Sequence, residues 1–467
     1  MRINVPFGLH AYQDRSLPVN AQKLINFFIE AQPQDSKSPV VLNNTPGSTL
    51  WVTVGGGPIH GMDILKNILY VVSGTELYSV TSTGTSTLLG TIVGNVRVHM
   101  AHNDQQVCIV NGIKGYIYDT STATLSEITD SSFYLTNRVV YLQTRFIFPR
   151  SGTQQIFCSN ADDGTTFDGT FYAPTITDPD DVVSMLADHA EIWVFGKKGN
   201  EIWTYNRNEA DFPFSRLDGS YVEKGCYAAQ SPAKLDNTFY WLGDDLIVYR
   251  ADGYKPTRIS THAIEHKIKS YSNPENAYSN TFSIQGHQFY ELTFPSQATW
   301  RYDASTGLWH QAQYGNSGQY LASCHAQLKG DNIIGDYRNG NLYKLSMDVF
   351  DDNSATIYRT ASTPHIHSGR LRAAMDMLEL DIASGEGLTT GQGSDPQMMM
   401  KYSDDGGRTF SSERWANMGR IGEYTRRVRY YNLGMFYQRM FEIQISDPIK
   451  SVIIDAFVNV DVEDTYD

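Results

Sequence analysis

The chain is poor in cysteine. Four cysteines occur among 467 residues, at Cys108, Cys158, Cys226 and Cys324, and no two of them form a Cys-x-x-Cys pair. Three of the four fall in or beside strand-like segments. Isolated cysteines in such positions usually serve as small buried hydrophobes. We therefore expect four buried thiols rather than disulfides or a zinc site.

Long apolar runs and an excess of basic residues are also missing. No stretch approaches the roughly 20 apolar residues that cross a bilayer, and the first residues lack the apolar run of a signal peptide. The 37 basic residues are outnumbered by 51 acidic ones, for a formal net charge of −14. This balance argues against wrapping nucleic acid, but it does not exclude a pore whose walls repel DNA. We expect a protein made in the cytoplasm, without a membrane span.

What the chain has in abundance is a hairpin that recurs seven times between Met62 and Leu345. In each copy an apolar strand meets a polar turn, and the second strand ends in an aromatic residue. Residues 68–72 followed by 76–78 are a clear copy. The equivalent starting positions are Met62, Met100, Tyr141, Met185, Ala233, Phe282 and Ala322.

These starts are 38, 41, 44, 48, 49 and 40 residues apart. A period of roughly 40 to 50 residues with about four short strands is typical of a β-propeller blade. The 29 tyrosines and 38 glycines suit many short strands joined by tight turns. The sequence therefore predicts an all-β fold that contains a propeller of six or seven blades.

The propeller is flanked by segments of different character. Residues 1–45 are predicted to form an N-terminal arm with a short helix-like stretch at 17–30. Residues 46–348 hold the propeller. Residues 349–467 contain alternating strands with short turns, which predict a C-terminal antiparallel β-sandwich domain.

One helix is predicted inside the propeller region, from His262 to Lys269, because two isoleucines lie four residues apart on one face. His262 and His266 could present two ligands to a metal, but no third ligand is identifiable. An exposed helix of mixed charge is the simpler interpretation. His262, Glu265, His266 and Lys269 are candidate contacts to another protein.

Two turns fit the Asp-box pattern Ser-x-Asp-x-Gly-x-Thr-Phe. The carboxylate is expected to accept backbone N–H groups inside the turn, the glycine to allow a positive φ, and the aromatic ring to anchor the hairpin. The motif specifies a hairpin geometry rather than a chemistry. Its predicted members are Ser403, Asp405, Gly407, Thr409 and Phe410, with Asp162, Gly164 and Phe167 in a looser copy.

Arginine is concentrated near the C-terminus of this acidic chain. Guanidinium groups pair well with carboxylates and phosphates. The cluster is therefore either a solvated face of the sandwich or a contact to an acidic partner or to DNA. Its members are Arg414, Arg420, Arg426, Arg427, Arg429 and Arg439.

Catalytic fingerprints are not found. The chain has no G-x-S-x-G, P-loop or dinucleotide-binding motif. Adjacent carboxylates such as Asp404 and Asp405 would point to opposite faces of a strand, so adjacency alone does not make an acid–base pair. The sequence predicts no catalytic residue, no metal and no cofactor.

Several short segments occur in a specific order along the chain. They are Leu-Pro-Val-Asn at 17–20, Asn-Phe-Phe-Ile-Glu at 26–30, Thr-Pro-Gly at 45–47, Val-His-Met-Ala-His at 98–102, Val-Asn-Gly at 110–112, Gly-Cys at 225–226, Trp-Leu-Gly at 241–243, the run at 253–265, Arg-Tyr-Tyr-Asn-Leu-Gly at 429–434 and Phe-Glu-Ile-Gln-Ile-Ser-Asp-Pro at 441–448. In these segments the chain resembles the packaged-DNA stabilisation proteins of short-tailed bacteriophages, the tail hub or nozzle. Their common order is more specific than any one of them.

The resemblance implies a structural, non-enzymatic protein of the virion tail, in a hexameric ring below the head–tail connector or adaptor protein. A tail needle or plug protein and tailspike or fibre proteins are the other implied partners. Packaged DNA would pass through without sequence-specific binding. The helix residues above and Arg420, Arg426, Arg427, Arg429 and Arg439 are then candidate contacts to a neighbouring subunit or to the connector.

Two other functions stay open. Sialidases carry several Asp-boxes, so a propeller glycosidase that acts on surface glycans is one alternative. A receptor-binding tail component is the other, although the chain lacks the trimeric β-helix or coiled-coil repeat of such proteins.

Overall fold

The computed structural model describes residues 2–8, 11, 13–33, 35–175, 180–207, 211–369 and 371–462. Residues 463–467, the end of the predicted C-terminal domain, lie outside the described residues. In the described part, strands dominate and one α-helix, His262–Lys269, is accompanied by one 3-10 helix, Pro274–Asn276. None of the helices described is long and apolar enough to cross a membrane. The fold is all-β, as the sequence predicts.

Six four-stranded antiparallel sheets, together with four antiparallel strands of a ten-stranded sheet, form the seven blades of the propeller. Each predicted hairpin start lies in the first strand of one blade. Blades 1 to 4 consist of Ile59–Leu65, Ile68–Ser73, Glu76–Val80 and Ser86–Thr91; His99–His102, Gln106–Val110, Gly115–Asp119 and Thr124–Glu127; Val140–Leu142, Arg145–Pro149, Gln155–Cys158 and Tyr172–Pro174; and Val182–Asp188, Glu191–Gly196, Asn200–Tyr205 and Phe214–Arg216. Blades 5 to 7 consist of Ala233–Leu235, Thr238–Leu242, Val248–Asp252 and Lys255–Arg258; Tyr278–Ile284, His287–Phe294, Ala298–Asp303 and Leu308–Ala312; and Ala322–Leu328, Asp331–Asp336, Asn341–Ser346 and Gly47–Thr53.

The ring closes through a strand from the beginning of the chain. Gly47–Thr53 precedes blade 1 in sequence but pairs with Asn341–Ser346 as the fourth strand of blade 7. A closed ring leaves only short, protected sheet edges. The blade count is therefore seven, within the predicted range of six or seven.

Apolar clusters fill the space between neighbouring blades. Val72 and Ile109 belong to the cluster between blades 1 and 2, and Val71 and Ile333 to the cluster between blades 1 and 7. The second strand of each blade is buried on both faces, which explains the uninterrupted apolar runs in the repeated hairpin. All four cysteines are buried and free, as expected.

The C-terminal region forms the predicted β-sandwich. One sheet has the order Phe27–Ala31, Val40–Asn44, Ile453–Val462, Ala373–Ile382 and Val428–Phe436, with Arg2–Asn4 on Ile453–Val462. The other has the order Leu24–Ile25, Arg359–Ser362, Gln438–Ile445, Gln397–Ser403 and Arg414–Asn417, with Ile366–His367 on Gln438–Ile445. Leu24–Ile25 also pairs with Leu308–Ala312, so this sheet continues into blade 6.

The N-terminal segment differs from the predicted arm. Three of its four strands pair with strands far along the chain, and the fourth, Phe27–Ala31, pairs with Val40–Asn44. The helix-like stretch at 17–30 contains the strands Leu24–Ile25 and Phe27–Ala31. Phe27 is fully buried in the core shared by the sandwich and blades 5 and 6. The boundaries at residues 45 and 348 stay a prediction.

The helix His262–Lys269 is confirmed with its predicted bounds. Ile264 and Ile268 are fully buried in the core that blades 5 and 6 share with the sandwich. The helix thus fills the junction between the two parts of the fold and leaves one face to solvent.

Candidate interaction surfaces

The exposed face of the helix carries His262, His266 and Lys269. Glu265 is buried instead, and its carboxylate accepts hydrogen bonds from Arg258 at 2.7 and 2.6 Å and from the Ser260 hydroxyl at 2.8 Å. Glu265 therefore fastens the helix to blade 5 and is not available to a partner. The other three predicted contact residues are accessible.

A buried carboxylate organises the basic residues of the sandwich. Glu379, on Ala373–Ile382, faces Arg429 across the sheet and accepts a hydrogen bond from its Nε at 2.6 Å. Arg2 donates to the same carboxylate at 2.8 Å, and Arg427 at 3.5 Å. Three positive charges thus surround one negative charge, which leaves a net positive charge at the surface of the sandwich.

The environment of Glu379 keeps it ionised. Burial acts to raise its pKa, but the hydrogen bond from Arg429 and the charges of Arg429, Arg2 and Arg427 outweigh burial and lower the pKa below its usual value. The carboxylate therefore holds the arginines in place at all ordinary pH values.

The remaining predicted arginines have different roles. Arg426 is exposed and forms no salt bridge in the described part of the chain, whereas Arg420 pairs with Asp395. Arg439 is only 1% exposed, donating to Asp404 at 2.6 and 2.7 Å and to the Leu433 carbonyl. Arg439 therefore links strands inside the sandwich and is not accessible to another protein.

Apolar side chains are exposed in the same segment. Six of the eighteen large hydrophobic side chains found exposed in the described residues fall within 415–437. They are Trp415, Ile421, Tyr424, Tyr431, Met435 and Tyr437. Aromatic residues, methionine and arginine are the types enriched at protein–protein interfaces. We call residues 414–437 the basic aromatic segment.

The Asp-box at 403–410 is a complete turn motif. Asp405 accepts the backbone N–H groups of Arg408 and Thr409 and the hydroxyls of Ser403 and Thr409, at 2.6–3.0 Å. These hydrogen bonds, chiefly those from Thr409, lower the pKa of Asp405 strongly. Gly407 has a φ of +86°, as the motif predicts. The carboxylate is occupied by its own turn.

Phe410 completes the motif less tightly than expected. It is half-buried, with the ammonium groups of Lys401 and Lys23 at 4.8 and 5.8 Å from its ring centroid. The ring therefore anchors the turn through cation–π contacts.

The second Asp-box departs from the predicted pattern. Asp163, rather than Asp162, accepts the Thr165 N–H and the hydroxyls of Thr165 and Thr166. Asp162 has a positive φ, and its carboxylate accepts the Tyr141 hydroxyl at 3.1 Å rather than a group of its own turn.

The other two members of the looser box are packing residues. A Cβ at Gly164 would lie 2.5 Å from Cδ1 of Ile117, so glycine is needed there for close approach. Phe167 is 7% exposed and anchors the turn among neighbouring phenylalanines, as predicted. Neither box aims a free carboxylate at a cleft.

Sequence reasoning missed the centre of the propeller, where Arg97 and Arg138 line a common cavity. Each stands two residues before the first strand of its blade, in the dipeptides Arg97-Val98 and Arg138-Val139. They are 41 residues apart, the same distance as Met100 and Tyr141. A basic residue repeated at the blade period was the available signal.

Comparison with known proteins now decides the family. The family model "Bacteriophage P22 Gp10, beta-propeller" matches residues 1–350, and "Bacteriophage P22 Gp10, beta-sandwich" matches residues 358–461. The chain belongs to the P22 Gp10 family. It is therefore a structural phage tail protein, a component of the virion, of the DNA-stabilisation class.

Likeness to individual proteins is weak. No curated protein matches the chain. The N-terminal domain of Nup159 is 11% identical with a TM-score of 0.40, covering 68% of this chain and 98% of that one. The computationally designed protein Ika8 is 12% identical with a TM-score of 0.39, covering 70% and 99%. Both TM-scores are too low to indicate a shared fold or function.

Proposed function

We propose that six copies of this P22 Gp10 family member form a ring below the head–tail connector of a short-tailed phage. The ring retains the packaged DNA and supplies the channel for its ejection. Family membership supports the tail location. The observation that carries the ring is the basic aromatic segment, an exposed positive and apolar surface on a chain of net charge −14.

A closed ring repeats one contact between two different surfaces of the same subunit. Arg426, Arg427 and Arg429 offer the positive half of such a contact, and the exposed tyrosines near them offer apolar area. The acidic remainder of the chain supplies the complementary half. Charge complementarity of this kind fixes the register of partners and speeds their encounter.

The net negative charge suits the DNA channel. Walls of the same sign as the phosphates do not grip the genome as it slides. Retention then falls to a needle or plug protein that closes the distal end of the ring. The connector above and tailspikes or fibres at the side complete the proposed set of neighbours, and the exposed residues His262, His266 and Lys269 are proposed contacts to one of them.

The test is electron microscopy of particles from a phage that lacks only this gene. DNA-filled heads that keep the connector, lack the nozzle and leak their genome are the expected result. Complementation with the wild-type gene should restore the nozzle. Intact tails that retain DNA but fail to adsorb to cells would contradict the proposal and favour a receptor-binding role.

A further inference from the structure

The first strands of the blades surround a cavity of 220 Å³ on the propeller axis. All seven blades or the turns before them contribute to its wall. None of the lining residues is an aspartate or glutamate, although the chain has 51 of them. Its titratable lining residues other than Cys324 are basic: His60, Arg97, His99, Arg138 and His325.

Arg97 is a half-buried cation in the wall of this cavity. Its guanidinium carbon lies 4.2 Å from the centroid of the Tyr278 ring. Among the described residues, no carboxylate forms a salt bridge with it and none of its N–H groups has a hydrogen-bond acceptor. This cation–π contact holds the guanidinium at the ring, while its N–H groups have no acceptor among the described residues.

Arg138 adds a second charge, with which no acidic residue of the described chain forms a salt bridge. It is 5% exposed and donates to the Met185 carbonyl at 3.2 Å, to Gln230 Oε1 at 2.9 Å and to the Pro232 carbonyl at 2.9 Å. All three acceptors are neutral. They orient the guanidinium, but the positive charge stays uncompensated inside the protein.

The histidines respond to these charges. Burial, followed by the charges of Arg138 and Arg97, holds the pKa of His99 well below its usual value. His99 Nδ1 accepts the N–H of Val139 at 3.4 Å, so the proton of the neutral ring is on Nε2. His99 therefore supplies one more hydrogen-bond donor to the wall.

We propose that this cavity is a binding site for a small oxyanion of the phosphate class, with Arg97 as its main ligand and Arg138 and His99 in support. Two like charges in the wall of one cavity repel each other, and an anion between them removes that repulsion. Arginine N–H groups match phosphate oxygens in pairs. The inference concerns a single chain and does not depend on the ring.

The experiment titrates the purified full-length chain with inorganic phosphate at constant ionic strength and follows binding by calorimetry and the melting temperature. Wild type is expected to bind saturably and to melt at a higher temperature with phosphate. Arg97→Gln should weaken binding at least about tenfold, the effect of losing one charged hydrogen bond. Arg150→Gln is the matched control, because Arg150 also stacks on a tyrosine, at 3.9 Å from Tyr134, but lies outside the cavity.

Three results would overturn the site: no saturable phosphate binding by wild type, equal binding by Arg97→Gln, or equal loss in Arg150→Gln. If Arg97→Gln does not fold, a wild-type crystal soaked in selenate gives the answer instead. Anomalous density beside Arg97 supports the site, and its absence contradicts it.

A 5′-phosphorylated hexanucleotide separates free phosphate from phosphate carried on DNA. It should bind more weakly than inorganic phosphate, because esterification removes one of the four phosphate oxygens that can accept from the two arginines. Binding of the oligonucleotide without binding of inorganic phosphate would refute the small-ion site.

Discussion

Arg301 donates from Nε to Glu291 Oε2 at 2.7 Å, and both side chains are only 1% exposed. The two residues face each other across the second and third strands of blade 6. The guanidinium also lies 4.3 Å from the Tyr320 ring centroid. The attraction within a buried ion pair of good geometry roughly offsets the cost of removing both charges from water. A single buried charge has no such compensation.

Glu291→Gln should therefore destabilise the protein strongly. We expect the free energy of unfolding to fall by about 3 kcal/mol, because Arg301 keeps its charge and loses its counterion. Urea unfolding measures the loss. The double variant Glu291→Leu with Arg301→Met removes both charges and should lose less. A single variant as stable as the double one would contradict this account.

Asp352 gives stability a distinct pH dependence. The carboxyl is 2% exposed and accepts the Ser48 hydroxyl at 2.9 Å. Burial, opposed by the Ser48 hydrogen bond and two arginine charges, raises its pKa to about 6 from the usual 3.8. The folded state therefore binds a proton that the unfolded chain has released. The contribution of Asp352 to the stability of the folded state is therefore fully present below about pH 4 and is lost as the pH rises through about 6.

Asp352→Asn removes that titration while keeping an oxygen for Ser48. Relative to wild type, the variant should gain about 3 kcal/mol of stability between pH 4 and pH 7, as a shift of two pKa units implies. Denaturant unfolding at both pH values provides the comparison. A constant difference between the two proteins would show that folding does not change the pKa of Asp352.

The propeller was predictable because its signal is local. Each blade needs a second strand buried on both faces and a tight turn after it, and both leave marks within ten residues, as in residues 68–78. The helix His262–Lys269 was predictable for the same reason. The strand Leu24–Ile25 was not, because its partners lie more than 280 positions away.

The surface roles were harder to predict than the fold. Arg439 and Arg426 look alike in sequence, but strand register buries one beside Asp404 and leaves the other exposed. In the looser Asp-box, Asp162 has a positive φ, and Asp163 is the residue whose carboxylate accepts the backbone N–H of the turn. Neither difference can be predicted from the sequence, because each depends on which residues the fold places next to one another.

The adjacent acids Asp404 and Asp405 should respond differently to substitution. Asp404→Asn weakens two hydrogen bonds to buried Arg439 and should lower the stability of the sandwich by about 2 kcal/mol. Asp405→Asn disturbs only its own turn, so faster hydrogen exchange at 403–410 with little change in melting temperature is expected. Mass-spectrometric hydrogen exchange and thermal melting read both effects. Equal losses of global stability would contradict the separation.

Charge reversal tests the ring contact. Arg426→Glu with Arg427→Glu turns the positive surface of the basic aromatic segment negative, and repulsion between subunits should then block assembly on the connector. The control is Lys66→Glu with Lys329→Glu, which reverses the same charge at two exposed turns of blades 1 and 7. Both proteins must first melt close to wild type, because Arg427 also contacts Glu379. Each is then used to complement the deletion phage. Nozzles should form with the control and not with the arginine variant, whereas full assembly with both would remove this surface from the ring contact.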